Sequence, residues 1–113
     1  MSQDTPWIGV DLDGTLTEYT TWKGPNHIGK PVPRMLDRVN RWIKEGRLVK
    51  IFTARAAHPE QIPIIQDWLR EQGLPDLEIT NIKDWNMVEL WDDRAVTVKK
   101  NTGVAFSFLW RHA

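Results

Sequence analysis

The segment Asp11-Leu12-Asp13-Gly14-Thr15 holds two carboxylates one residue apart, directly after the apolar run Trp7-Ile8-Gly9-Val10. If that run is a strand, alternation turns Asp11 and Asp13 to the same side and Leu12 to the other. Two close carboxylates repel unless a cation, a shared proton or hydrogen bonds compensate. Gly14 lets the backbone turn sharply and come close to a ligand. Together these features suit a Mg²⁺ and phosphate site. The same residues also fit a plainer description, a strand ending in an Asx-type turn with both acids solvated.

Three later stretches bear on the choice. Thr53 follows the run Leu48-Val49-Lys50-Ile51-Phe52. Lys83 follows Leu77-Glu78-Ile79-Thr80, separated from it by Asn81-Ile82. Asp92 and Asp93 follow Val88-Glu89-Leu90-Trp91. Mg²⁺ takes oxygen ligands and keeps several waters, so two or three carboxylate or carbonyl groups suffice. A phosphate needs cations and hydrogen-bond donors, which Lys83, the Thr53 hydroxyl and backbone N–H groups supply.

Each stretch follows an apolar run with strand character: 7–11, 48–52, 77–80 and 88–91. Between the first two, Val32, Met35, Leu36, Val39, Trp42 and Ile43 recur at helical spacing behind Pro31 and Pro33, and Gly46 stops the pattern. A second helix is predicted from about Glu60 to Gln72, with Ile62, Ile65, Trp68 and Leu69 on its apolar face. Thr15 to Lys30 is polar and rich in turn formers, a loop or small hairpin above the first strand. Ala95–Val98 and Val104–Phe108 read as two further extended segments around Lys99-Lys100-Asn101-Thr102-Gly103, a hairpin or edge strands.

Strands alternating with amphipathic helices predict an α/β domain with a mainly parallel sheet and helices on both faces. Right-handed crossovers bring the strand carboxyl ends to one edge, where ligands of such sheets bind. All four polar stretches fall on that edge.

The bulk properties agree. The 113 residues suit one domain, residues 1–113. Hydrophobic content of 41% with seven Trp is enough for a core, and a formal net charge of +0 gives no general reason to bind nucleic acid or membrane. Without Cys, thiolate chemistry and Cys-ligated zinc are excluded. The polar start of the chain lacks the order of a signal peptide, and Val104–Trp110, the longest apolar stretch, is too short to span a bilayer. The expected location is the cytoplasm.

The motifs resemble those of the haloacid dehalogenase superfamily of phosphohydrolases. Asp11-Leu12-Asp13-Gly14-Thr15 is similar to its first motif, Phe52-Thr53-Ala54-Arg55 to the second, Lys83 to the third, and Leu90-Trp91-Asp92-Asp93-Arg94-Ala95 to the fourth. The four span residues 7–96 in the family's order.

The resemblance implies a three-layer, Rossmann-like sandwich and a Mg²⁺-dependent phosphatase for phosphate monoesters. In it Asp11 is the nucleophile that becomes an aspartyl-phosphate, and Asp13 the acid and then base. Asp11, the backbone carbonyl of Asp13 and Asp92 hold Mg²⁺, with Asp93 either a further ligand or a group just behind the ligands. Thr53 and Lys83 position the phosphoryl group. The dehalogenases of the family lack the second acid, so Asp13 favours phosphate-ester chemistry. Neither usual insertion point has room for a cap domain. The implied partner is a phosphorylated substrate of unknown identity. The open cleft of a capless member implies either a large phosphorylated substrate or a homo-oligomer in which a second copy of the chain covers it.

Two other readings stand beside this one: a phosphoacceptor domain of the response-regulator type, and a non-catalytic binding module on the same fold. The phosphoacceptor keeps its reactive Asp at a middle strand, where this chain has Thr53. A binding module predicts the loss of a catalytic acid. Around the site, Arg55 and Arg94 are candidates for substrate phosphate or for surface ion pairs, and Trp22 for stacking on a base or sugar. His27 and His58 read as solvated loop histidines.

Overall fold

The computed structural model describes residues 4–106, which form four strands and two α-helices. β1 (Trp7–Val10) is buried along its whole length. β2 is Leu48–Phe52, β3 is Ile79–Thr80 and β4 is Met87–Trp91. They make one sheet in the order β3-β2-β1-β4, and every pairing is parallel. The chain therefore has the expected α/β architecture, a parallel sheet flanked by helices.

α1 (Pro33–Lys44) starts at a proline, whose missing N–H costs nothing in a first turn. Arg41 and Lys44 lie in its last turn, where cations suit the helix dipole. Gly46 leaves the helix with φ 81°. α2 (Ile62–Glu71) is shorter than the sequence pattern predicted. Two 3₁₀ turns, Ala54–Ala57 and Pro59–Gln61, occupy the stretch ahead of it, because prolines at 59 and 63 interrupt regular α-helical bonding.

Met35, Val39 and Trp42 of α1 and Ile65, Trp68 and Leu69 of α2 join one core with Ile8, Val10, Val49 and Ile51. Those four strand residues alternate onto one sheet face. Both helices therefore lie on that one face, where helices on both faces were expected, because two successive right-handed crossovers stepping the same way cover the same side. The layer on the other face is the connection 81–86, which returns from β3 to the start of β4. It is tied to β1 by the Trp7 indole N–H donating to Asp84 at 2.9 Å and by the Trp7 amide donating to the Asn86 carbonyl at 2.8 Å.

The expected strands around Lys99–Gly103 do not join the sheet. The described part is an isolated antiparallel bridge between Val98 and Ala105, closed over a turn with Asn101 at φ 68°. A bridge this short gains too few hydrogen bonds to extend β4. Residues 107 and 108 of the predicted second segment lie outside the described residues. No described helix is long and apolar enough to cross a membrane.

Candidate active site

The register Val10↔Trp91 sets the ends of β1 and β4 level, and the Asp11 amide donates to the Trp91 carbonyl at 2.9 Å. The next residues on the two strands, Asp11 and Asp92, are therefore neighbours. Asp93 completes the group: one carboxylate oxygen from each of Asp11, Asp92 and Asp93 lies within 4.8 Å of the others. Burial first, then a hydrogen bond with Asp93 and the charge of Asp92, pushes the Asp11 carboxyl from 3.8 up to about 7. The Asp92 side chain also accepts from the Arg94 amide at 2.6 Å, and Asp93 accepts from the Thr15 hydroxyl at 3.1 Å. These bonds orient the two acids.

Crowded carboxylates of this kind fit a hard divalent cation, which takes oxygen ligands and relieves their repulsion. Asp11, Asp92 and Asp93 would hold it. Gly14 makes the arrangement fit. Its φ is +90°, and a Cβ built there would stand 2.6 Å from Asp93 Oδ2. Gly14→Ala is expected to cost about 1–3 kcal/mol through backbone strain and overpacking. It should also displace Asp93 and weaken Mg²⁺ binding, read by thermal melts and a calorimetric Mg²⁺ titration.

The Asp13 side chain stands apart from that group. Both its oxygens accept from Arg55, from Nε at 2.8 Å and Nη2 at 2.9 Å. The same guanidinium donates to the Pro25 carbonyl at 3.2 Å and the His27 carbonyl at 2.9 Å, and it lies 4.8 Å from the Trp22 ring centre. Arg55 is only 6% exposed. It is neither a surface ion pair nor a free phosphate ligand, but a bolt joining β1, the turn after β2 and the loop above. The signal in the sequence is its place two residues after Thr53, but nothing there names its partners.

The loop has a closed neck: Glu18 donates to the Lys30 carbonyl at 2.9 Å and Val32 to the Leu16 carbonyl at 2.8 Å. Thr53 is buried, and its Oγ1 accepts from the Arg55 amide at 3.2 Å. Its own backbone N–H is bonded to Thr80 on β3.

A cleft of about 430 Å³ opens over the strand ends, lined by Asp11, Asp13, Thr53, Asp92 and Arg94 among others. Asp93 lies beside it through the acid group. Lys83 is exposed on the connection 81–86 and is not among the lining residues. That connection must descend to start β4, which carries Lys83 away from the edge. Arg94 lines the cleft as an exposed cation in its stead. A smaller cavity of about 260 Å³ lies under the loop, lined by His27, Lys23 and Lys30, with Asp13, Tyr19 and Arg55 shared between the two. His58 stands outside both, 3.7 Å from Glu60.

Fold and edge site together define a Rossmann-like α/β protein with an acidic cluster at the carboxyl ends of its strands. The chain is similar to the solved structure of a conserved protein from Bacteroides thetaiotaomicron, with 22% identity and a TM-score of 0.63 over 80% of this chain and 78% of that one. At this identity the likeness speaks for the fold alone. No protein-family model matches the chain, and no curated protein matches it.

Proposed function

We propose that the protein is a Mg²⁺-dependent phosphohydrolase that cleaves a phosphate monoester through an aspartyl-phosphate on Asp11. The observation that carries the reading is the group Asp11, Asp92 and Asp93 at two adjoining strand ends, opening on a cleft that also holds Thr53 and Arg94. Bound at the three acids, Mg²⁺ would supply charge neutralisation for the phosphoryl oxygens. The Asp11 carboxylate attacks phosphorus, the bond to the leaving oxygen breaks, and Asp13, released from Arg55, gives that oxygen a proton. Asp13 then takes a proton from the water that cleaves the aspartyl-phosphate, releases phosphate and restores the carboxylate. The Thr53 hydroxyl, whose oxygen already accepts a bond, has its proton to offer the phosphoryl group. Arg94 adds the positive charge first expected from Lys83. Phosphoryl transfer rests mostly on such positioning and electrostatics.

The test is hydrolysis of an aryl phosphate and a panel of sugar and nucleotide monophosphates, with Mg²⁺ or with EDTA. Turnover is expected with Mg²⁺ and not with EDTA, and Asp92→Asn should raise the Mg²⁺ requirement roughly tenfold or more. Activity that survives EDTA would rule the mechanism out.

One observation favours a phosphoacceptor. While both Asp13 oxygens are engaged by Arg55, Asp13 is held back from proton transfer, and a phosphorylated Asp11 would be long-lived. Stable labelling of Asp11 by acetyl phosphate without turnover would support that alternative. The cleft is open, and a second copy of the chain covering it belongs to the same proposal; light scattering across a concentration series measures it.

A further inference from the structure

The cleft that holds the acids is also lined by Tyr19, Trp22, Phe52 and Asn81. Phe52 is half-buried and packs against Trp7 at a centroid distance of 6.4 Å, so it belongs to the floor. Trp22 is different: it is 51% exposed, and Tyr19 beside it in the lining is 39% exposed. A single exposed indole needs no explanation on most surfaces. This one is held in place. The buried Arg55 guanidinium lies against its ring, and the same group ties down the carbonyls of Pro25 and His27, just beyond it in the loop. The buried side chain that pairs with Asp13 thus also backs an aromatic ring that lines the cleft.

Charge and size narrow the occupant. Among the described lining residues the cations are Arg55, engaged by Asp13, and Arg94. One available cation beside a metal site suits one phosphate, not a di- or triphosphate. A volume of about 430 Å³ falls within the range of small-molecule sites. The Asn81 amide offers both a donor and an acceptor, the pattern that a nucleobase edge can meet.

We propose that the cleft takes a nucleoside monophosphate, with its base stacked on Trp22 and its phosphate directed to Asp11 and Arg94. This inference rests on the phosphohydrolase reading for its chemistry, but the stacking site can be tested without turnover.

The experiment compares adenosine 5′-monophosphate with ribose 5-phosphate, which share a primary-alcohol leaving group and differ by the base. The unaltered protein with Mg²⁺ is expected to favour the nucleotide in kcat/KM by roughly five- to a hundredfold, mostly through KM, as base–aromatic stacking supplies. Trp22→Leu should reduce that preference at least fivefold, and Trp22→Phe should keep most of it. Equal kcat/KM for the two esters, or a preference that survives Trp22→Leu, overturns the proposal and leaves the hydrolase reading standing. If neither ester is hydrolysed, calorimetric binding to the unaltered protein decides. A nucleotide bound more tightly than ribose 5-phosphate upholds the site and removes the hydrolase reading; equal affinities overturn the site.

Discussion

Asp11→Asn is expected to lower phosphate-ester turnover by a factor on the order of 10⁴ or more, while making the metal-free protein more stable at pH 8. The two effects have one origin. The carboxyl is pushed from 3.8 up to about 7 by burial, by its bond with Asp93 and by the charge of Asp92. The folded protein therefore holds a proton that the unfolded chain releases between about pH 4 and 7. The stability this contributes is fully present below pH 3.8 and is lost as pH rises through about 7. Above that, the ionised group opposes folding. The gap between the two values caps the effect at about 4 kcal/mol, and water reaching these partly exposed acids reduces it to about 1–2 kcal/mol. An uncharged amide removes the penalty, so the variant should melt several degrees higher at pH 8 in EDTA, about 5 °C for a domain this size. Near pH 4 the difference should vanish. Mg²⁺ should raise the melting temperature of the unaltered protein at pH 8 and change that of the variant much less. Thermal melts over pH 4–8, with and without Mg²⁺, measure all of this. A variant no more stable than the unaltered chain at pH 8 in EDTA would mean that the three acids do not crowd one another.

Arg55→Met has the largest expected effect on stability. It strips donors from both Asp13 oxygens and from the Pro25 and His27 carbonyls at once. Breaking a buried ion pair from one side costs about 3–5 kcal/mol. The Asp13 side chain keeps 21% exposure, so some of its charge can be rehydrated, and about 2–4 kcal/mol is expected here. Arg55→Lys should recover little, because an ammonium cannot reproduce the fork that meets both oxygens of Asp13 while reaching two carbonyls. Chemical denaturation gives the stability loss. Limited proteolysis separates it from a general loosening: cleavage within residues 18–30 should accelerate before cleavage in α1 or α2. Cutting that begins in the helices would show that the arginine serves the core rather than the loop.

Much of the fold was legible because its signals are local. Strand alternation, the helical spacing of Val32 to Ile43 and the prolines ahead of α1 are all set within a few residues, and they determine element type before any tertiary contact forms. The parallel α/β class follows from their order. The acids at positions 11, 92 and 93 were legible for the same reason: each ends an apolar strand, and a parallel sheet gathers strand ends on one edge. Of the two arrangements left open for the segment around Lys99–Gly103, the described residues favour the hairpin: Val98 bridges Ala105 across the turn, and the pair stays separate from the sheet.

By itself, then, the sequence placed Asp11, Asp13, Thr53, Asp92 and Asp93 at strand ends on one edge of the sheet, and Lys83 with them. Only the tertiary structure decided which of these line the cleft and what each side chain pairs with. Asp11 and Asp13 are equivalent by spacing, yet one joins the acid cluster and the other closes on Arg55, which is 42 residues away. Lys83 matches by order, yet the short descent from β3 to β4 carries it off the cleft, and Arg94 lines the cleft. Trp22 lies in a stretch with no periodicity, and the buried Arg55 guanidinium against its ring is a contact that the sequence does not show. Periodicity is a property of neighbours along the chain, whereas an ion pair depends on angles and distances that exist only once β1, β2 and the loop have packed together.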